Sequence, residues 1–393
     1  MTQSEAKATI KNPNSEDSLL SIPALKTLAP LPKEVTEAQC VTIGDEILIC
    51  GGGRTKDCFS YHVKKGQYKR ICAYGREIAL VGHSVVLYPL HLKKSNGRQM
   101  LLSFGGDVSR YGAPYHTKWL TYQSVWEEKP IEDGMNQWTS IPNEVTFGKE
   151  GQHDLCGARA SVGGANNDLL FITRKPQYID VIDLKSFTYL QNVKYQDTMP
   201  IRENLGYHCL VPFQNKNGMV VIQGNECVLV KFDELQKEFR YSPLPGFEPF
   251  NQRWGFACAQ FNRRIFFFGG SDFDNETCMD DIISYQIDSQ LWSKCNVCMP
   301  FPIRNSAIAL VHSSIHLIGG MNDDYNPLAI HYILSFLVHF LYVIKKNLCA
   351  SFFFFAKTPE KVKTIVTYWW KQDKRKGLEW AKDLFSVIAI FCL

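Results

Sequence analysis

The feature that most constrains this chain is a short apolar run, usually followed by two glycines, that recurs along the sequence. The six runs are residues 47–50, 101–104, 169–172, 220–222, 265–268 and 315–318. They lie roughly fifty residues apart, a spacing typical of proteins built from stacked structural repeats. The sequence therefore predicts six copies of one structural unit.

Glycine pairs follow four of these runs. They are Gly51 with Gly52, Gly105 with Gly106, Gly269 with Gly270, and Gly319 with Gly320. The third copy has Thr173 and Arg174 at the corresponding positions, and the fourth keeps only Gly224. Because glycine has no Cβ and tolerates positive φ, these pairs indicate places where two segments of backbone approach closely.

Each copy has similar surroundings. A second apolar segment and a tight turn precede the run, as residues 40–43 do in the first copy. After the glycines come a loop and two large residues seven positions apart. These are Tyr61 and Tyr68, Ile182 and Tyr189, and Tyr285 and Trp292. In the fourth copy we expect Val230 and Phe239 to be the equivalent residues. Four short β-rich segments per copy predict a four-stranded antiparallel sheet.

A single four-stranded sheet cannot bury both of its faces, whereas six such sheets stacked around a central axis can. The glycines would lie near that axis, and the late Tyr or Trp would pack between neighbouring sheets. This pattern of apolar run, glycine pair and Tyr-x6-Trp resembles the kelch repeat over residues 19–332. The resemblance implies an all-β fold, a six-bladed kelch-type β-propeller similar to the galactose-oxidase-like propellers.

The start of the repeat region suggests how the ring closes. Residues 25–32 resemble the end of a repeat, although they precede the first one. We expect residues 19–28 to supply a closing strand, the outer strand of the last blade, because closure of this kind removes an exposed sheet edge. Residues 1–18 are polar, lack the apolar core of a signal peptide and are predicted to be disordered.

The C-terminal part departs from the repeat. Residues 328–344 form a continuous apolar stretch, and residues 333–356 are predicted to be an apolar segment outside the propeller. Two interpretations remain open: a membrane span, for which the stretch is near the minimum length, and an insertion packed on the propeller. His331 and His339 would be costly in lipid. Residues 357–393 predict a basic amphipathic helix and tail, so the propeller carries a short C-terminal helical and apolar extension.

Composition narrows the class of protein. With 45% hydrophobic and 21% charged residues, the chain can bury a large core and is not disordered throughout. The net charge of +4 is too small to indicate nucleic acid binding. Thirteen scattered cysteines are typical of a reducing compartment rather than of a disulfide framework, so we expect a cytoplasmic protein. Membrane association through residues 328–344 is the alternative.

Motifs that carry chemistry are scarce. Cys295-x-x-Cys298 lacks the second ligand pair that a zinc site needs. The glycines before Arg54 lead into a predicted strand, whereas a phosphate-binding loop leads into a helix. We therefore predict no catalytic residues, no metal and no cofactor. Some propellers of this superfamily are copper oxidases, so such an enzyme is kept as an alternative that no motif here favours.

Loops joining the second and third strands of each blade lie on the same side as the links between blades. This side is called the loop face, and its loops are where we expect partner binding. The candidate residues are Arg54, Lys56, Arg110, Tyr111, Tyr115, Arg174, Lys175, Asp272, Asp274, Glu276, Asp280, Asp323 and Asp324. The basic residues come from early blades and the acidic residues from late blades, a division that favours oriented docking of a charged partner. Solvated loops with incidental charge are the alternative.

The sequence thus predicts a protein-interaction scaffold or adaptor that binds a protein or peptide through its loop face. A membrane-tethered propeller is the second hypothesis.

Overall fold

The computed structural model describes residues 22–89, 98–107, 115–141, 145–148, 152–195, 199–213, 215–247, 250, 252–272 and 274–336. The chain forms two units, residues 1–335 and 336–393, and of the second only Phe336 is among the described residues. The predictions of a disordered N terminus and a C-terminal helix therefore lie outside the described residues. The same holds for the apolar segment beyond residue 336 and for Arg110 and Tyr111 as binding residues.

Strand β1 (Lys26–Thr27) comes first in the chain but belongs to the last blade. Each of blades 1 to 3 is a sheet of four consecutive antiparallel strands. These are β2 (Gln39–Ile43), β3 (Glu46–Cys50), β4 (Asp57–His62) and β5 (Gln67–Ala73); β6 (His83–Tyr88), β7 (Gln99–Gly105), β8 (His116–Tyr122) and β9 (Thr139–Ser140); and β10 (Asp154–Gly163), β11 (Leu169–Lys175), β12 (Tyr178–Asp183) and β13 (Thr188–Tyr189).

Blades 4 to 6 repeat this arrangement with small additions. The strands are β14 (Lys194–Tyr195), β15 (Cys209–Phe213), β16 (Asn215–Gln223), β17 (Glu226–Asp233) and β18 (Glu238–Leu244); β19 (Arg253–Trp254), β20 (Ala257–Phe261), β21 (Arg264–Phe268), β22 (Ser271–Asp272), β23 (Asp281–Gln286) and β24 (Leu291–Cys298); and β25 (Ala307–Val311), β26 (Ser314–Ile318) and β27 (His331–Ser335). Strand β14 pairs in parallel with the outer strand β18, and β19 pairs with β22 beside blade 5.

The first strands of the six blades form a closed ring. Each packs against the first strands of both neighbours, in the order β2, β6, β10, β15, β20, β25 and back to β2. This arrangement confirms the prediction of an all-β, six-bladed propeller. All six apolar runs of the sequence lie in the second strand of a blade, including the run without glycines at residues 169–172.

The hydrophobic core lies between neighbouring blades. One cluster joins blades 3 and 4, where the rings of Phe171 and Phe232 are 5.4 Å apart between centroids. Another joins blades 4 and 5 around Phe267, and a third joins blades 6 and 1 around Tyr61. Each blade therefore depends on its neighbours to bury its faces, as expected for stacked repeats.

The large residues seven positions apart face each other across the third and fourth strands. Tyr61 lies opposite Tyr68, and Tyr285 lies opposite Trp292, each pair with ring centroids 4.7 Å apart. The prediction for blade 4 was wrong, because Phe239 lies opposite Phe232 rather than Val230. The spacing of seven is thus kept there, and the turn is no longer than in the other blades.

The glycine pairs lie where links between blades pass close by. The first glycine of each pair lies against the link into the following blade or the start of that blade: Gly51 against Leu80, Gly105 against Leu155 at the start of β10, Gly269 against Ile303, and Gly319 against Val35. A Cβ on Gly319 would be 2.4 Å from the Val35 carbonyl oxygen, which is too close for any side chain. The contact with Val35 joins the last blade to the link into the first.

Blade 6 is completed by the N-terminal segment. Lys26 and Thr27 of β1 pair with β27, and the Leu28 amide donates to the His331 carbonyl oxygen at 2.8 Å. Strand β27 extends to Ser335, three residues into the segment that the sequence placed outside the propeller. Part of the stretch proposed as a membrane span, residues 328–344, therefore lies in blade 6. Over the described ranges, no helix has the length and apolar character needed to cross a bilayer.

Candidate functional site

Blade 3 differs from the sequence prediction on the loop face. Arg174 and Lys175 were predicted in a loop, but both lie in β11, which leads through a two-residue turn into β12. Arg174 is only 6% exposed, and its Nε and Nη2 atoms donate to the Asp180 carboxylate at 2.5 and 3.2 Å. Lys175 forms an ion pair with Asp154 at 3.1 Å. Without a glycine pair the hairpin stays tight, so Arg174 stabilises the blade from inside.

The basic and aromatic candidates of blades 1 and 2 have different environments. The Lys56 ammonium group donates to the carbonyl oxygen of Ile78, and burial lowers its pKa. The Tyr115 hydroxyl donates to the His153 carbonyl oxygen, and burial raises its pKa. Arg54 is exposed and forms no ion pair with any described residue. Of these three side chains, Arg54 is the one that faces solvent.

Acidic candidates of blades 5 and 6 hold their own loops together. The Asp272 carboxylate accepts from the amides of Asp274 and Asn275 at 2.8 and 3.1 Å. The Asp323 carboxylate accepts from the Cys278 amide at 2.6 Å and so ties the blade 6 loop to the blade 5 loop. These contacts make the two loops one connected structure. The remaining acidic candidates are the half-buried Asp280 and the exposed Asp274, Glu276 and Asp324.

One buried arginine in contact with two aromatic rings supports these loops. Arg304 is 1% exposed, and its guanidinium carbon lies 5.1 Å from the Trp254 ring centroid and 4.4 Å from that of Tyr325. Its Nη1 atom donates to the Ser271 hydroxyl and to the Glu276 carbonyl oxygen, both at 3.1 Å. The Tyr325 hydroxyl donates to the Glu276 carboxylate. Cation–π contacts with the two rings compensate in part for a buried charge that has no carboxylate partner among the described residues.

An open groove lies between the loops of blades 6 and 1, and it is called the 6/1 groove. Its volume is about 630 Å³, within the usual range for ligand sites. It is lined by Leu31, Pro32, Lys33, Glu34, Arg54, Thr55, Tyr325, Asn326, Pro327 and Ala329. Arg54 was a sequence candidate, whereas Tyr325 was missed because nothing in the repeat pattern marks it.

A collar of six residues, each just before the first strand of a blade or within its first few residues, surrounds the axis. All six have positive φ: Glu37 (57°), Gly82 (67°), Gly157 (72°), Tyr207 (55°), Gly255 (64°) and Asn305 (54°). Main-chain hydrogen bonds connect neighbours in this collar, for example from the Tyr207 amide to the Gly157 carbonyl oxygen at 2.8 Å. Three of the six are not glycine, although this conformation costs L-residues energy.

The side chains of those three residues meet across the axis. The Tyr207 hydroxyl of blade 4 donates to Glu37 Oε2 of blade 1 at 3.1 Å. The same oxygen accepts from the Gly82 amide at 2.9 Å, and Glu37 Oε1 lies 3.4 Å from Asn305 Nδ2. Burial and the neighbouring Glu37 carboxylate raise the pKa of Tyr207. One carboxylate thus joins blades 1, 2, 4 and 6, and the tyrosine crosses the mouth of the channel.

Groups suited to metal binding do not converge within the described parts of the chain. No three His, Cys, Asp or Glu side chains there come together as metal ligands would. The predicted Cys295-x-x-Cys298 pair lies in β24, with Cys295 buried and Cys298 exposed.

Comparison with known proteins gives a fold. No protein-family model matches the chain, and no curated protein matches it. Among solved structures, a structure of YjhT is similar, with a TM-score of 0.57 and 10% sequence identity. The match covers 78% of this chain and 97% of the YjhT chain. At this level of identity the likeness concerns the propeller fold alone.

Proposed function

We propose that this protein is a binding scaffold that docks a protein or peptide segment on its loop face. The observation that carries the proposal is a difference among the charged residues of the loop face: some hold the loops in place, and others are exposed to solvent. Asp272 and Asp323 hold the loops of blades 5 and 6, and Asp324 is exposed on the blade 6 loop. Arg54 is exposed on the blade 1 loop, which the Gly53 amide ties to the Thr36 carbonyl oxygen at 2.8 Å. Ordered loops lose less conformational entropy on binding, and this favours affinity for a partner.

The crossing of the channel mouth supports the same proposal. Tyr207 extends over Gly157 and Gly82 to reach Glu37, so side chains occupy the axis at this end. A ligand approaching the loop face would therefore meet a surface rather than an open tunnel. The repeat pattern of this sequence resembles the kelch repeat. Kelch repeats often serve in protein interaction, and this agrees with the proposed role.

A random-peptide display library selected on the full chain tests the proposal. We expect enriched peptides whose affinity, measured by fluorescence polarisation, falls at least about tenfold in the Arg54→Glu/Arg76→Glu double variant. Both arginines are exposed on the loop face and form no ion pair with a described residue. The matched control is Lys65→Glu/Lys129→Glu, which makes the same charge change on the opposite face. Loss of binding in the control alone, or in neither variant, would contradict the proposal.

A further inference from the structure

We infer that the 6/1 groove is the docking position on the loop face, and that its occupant is an extended acidic peptide segment in which a carboxylate adjoins an apolar residue. This inference rests on the proposed function and adds to it the place and the chemistry of the partner. Its support comes from three features of the groove: a fixed aromatic ring, an exposed arginine and a group of apolar residues in the lining.

The aromatic wall is Tyr325, which is held in place before any partner arrives. Its φ is 59°, and its amide donates to the Asn322 carbonyl oxygen at 3.1 Å. The hydroxyl is bound by Glu276, and the guanidinium of Arg304 lies against the ring. The side chain is nevertheless 50% exposed and lines the groove. A ring fixed in this way binds an apolar side chain with little further loss of entropy.

The charged wall is Arg54, which lies on the blade 1 loop, whereas Tyr325 lies on the blade 6 loop. Its loop is fixed by a hydrogen bond from the Gly53 amide to the Thr36 carbonyl oxygen at 2.8 Å. The nearest acid along this loop is Asp57, which is already paired with Lys33 and Arg70, and these cations lower its pKa. Asp57 is therefore committed to other cations, and Glu34, the acid that also lines the groove, forms no ion pair with Arg54. The Arg54 guanidinium is thus available for a carboxylate, its preferred bidentate partner.

The lining has an apolar part, formed by Leu31, Pro32, Pro327 and Ala329. Leu31 is buried, and its amide donates to the Ala329 carbonyl oxygen at 2.9 Å, which joins the link before blade 1 to the blade 6 loop. Pro32 and Pro327 add apolar surface and lack amide donors. Because the two prolines offer no amide donor, this part of the lining favours side-chain contacts from an extended segment over β-strand addition. An apolar residue of the partner would pack against these residues, and the adjoining carboxylate would bind Arg54.

Single variants separate this inference from the proposed function. The probes are peptides enriched by display on the full chain, each compared with a version in which Asp and Glu are replaced by Asn and Gln. We expect Arg54→Glu and Tyr325→Ala each to weaken binding about tenfold or more, and Arg54→Lys and Tyr325→Phe to weaken it less. The amide peptides should bind wild type weakly and lose little further affinity in Arg54→Glu.

Arg76→Glu is the matched control, since Arg76 lies on the loop face outside the 6/1 groove. If Arg76→Glu weakens binding and Arg54→Glu does not, docking on the loop face stands and the groove inference is wrong. If enriched peptides lack acidic residues, or bind equally well as amides, the chemistry assigned to the partner is wrong. A melting temperature within about 3 °C of wild type establishes that a variant is folded. If Tyr325→Ala is not folded, Tyr325→Phe is used in its place.

Discussion

At the scale of single residues, the collar shows how the fold holds non-glycine residues in a backbone conformation that is energetically costly for them. Glycine occupies three of the six collar positions without strain, but Glu37, Tyr207 and Asn305 adopt the same backbone conformation. The side chains of Tyr207 and Glu37 join the opposite blades 4 and 1 across the axis, and Asn305 contacts Glu37 from the neighbouring blade 6. No local sequence pattern marks these residues, because the bonds that explain them join positions far apart in the chain.

The bond between Tyr207 and Glu37 gives a first prediction. Tyr207→Phe removes a hydroxyl that donates to a carboxylate, and we expect the free energy of unfolding to fall by about 1.5–3 kcal/mol, measured by urea denaturation. Tyr178→Phe is the control, because Tyr178 is 53% exposed and lies in β12 away from the collar. Equal stability of the Tyr207 and Tyr178 variants would show that the bond across the axis contributes nothing.

Buried histidines give a second prediction, on pH. Burial lowers the pKa of His83 and His316 to about 4 and that of His331 to about 3. As pH falls, these histidines take up protons near pH 6.5 in the unfolded chain but only near pH 3 to 4 in the folded protein. The folded state is therefore favoured most above pH 6.5, where the histidines are neutral in both states. Their contribution is lost as pH falls from about 6.5 toward 4, by about 1.4 kcal/mol per pH unit for each histidine.

Denaturation in urea at pH 7 and pH 5 measures this effect. We expect a fall of roughly 2 kcal/mol per buried histidine between the two conditions. A free energy of unfolding that stays level over this range would mean that the histidines are charged in the fold or accessible to protons.

At the scale of elements, the sequence predicts the strands and residue pairs that recur with the repeat. It does not predict the features that depend on where a blade lies in the ring. The second strands and the paired Tyr61/Tyr68 and Tyr285/Trp292 follow directly from spacing. Strand β27 was obscured because it continues into a longer apolar stretch with no turn residue to mark its end. The groove residue Tyr325 could not be predicted, since its partners Arg304 and Glu276 become neighbours only when blades 5 and 6 pack together.

Strand β1 gives a third prediction. Deleting residues 1–30 removes the outer strand of blade 6 and exposes the edge of β27, so we expect the melting temperature to fall by more than about 5 °C. Deleting residues 1–21 leaves β1 in place and is the control. Differential scanning fluorimetry of both deletions distinguishes a closing strand from a dispensable tail, for which the two melts would be equal.

At the scale of the whole propeller, the ring has one seam where its two ends meet, and Gly319 lies at that seam. Gly319→Ala introduces a Cβ 2.4 Å from the Val35 carbonyl oxygen at a φ of 61°, so it combines backbone strain with a clash across the seam. Gly66→Ala has nearly the same φ, 63°, with nothing within 4 Å of the new atom. The control therefore measures the conformational cost alone, about 1–2 kcal/mol. We expect Gly319→Ala to lose at least about 1 kcal/mol more in urea denaturation, because overpacking adds to the strain. Equal losses would mean that the seam yields easily and that the contact between the last blade and the first link does not hold the ring closed.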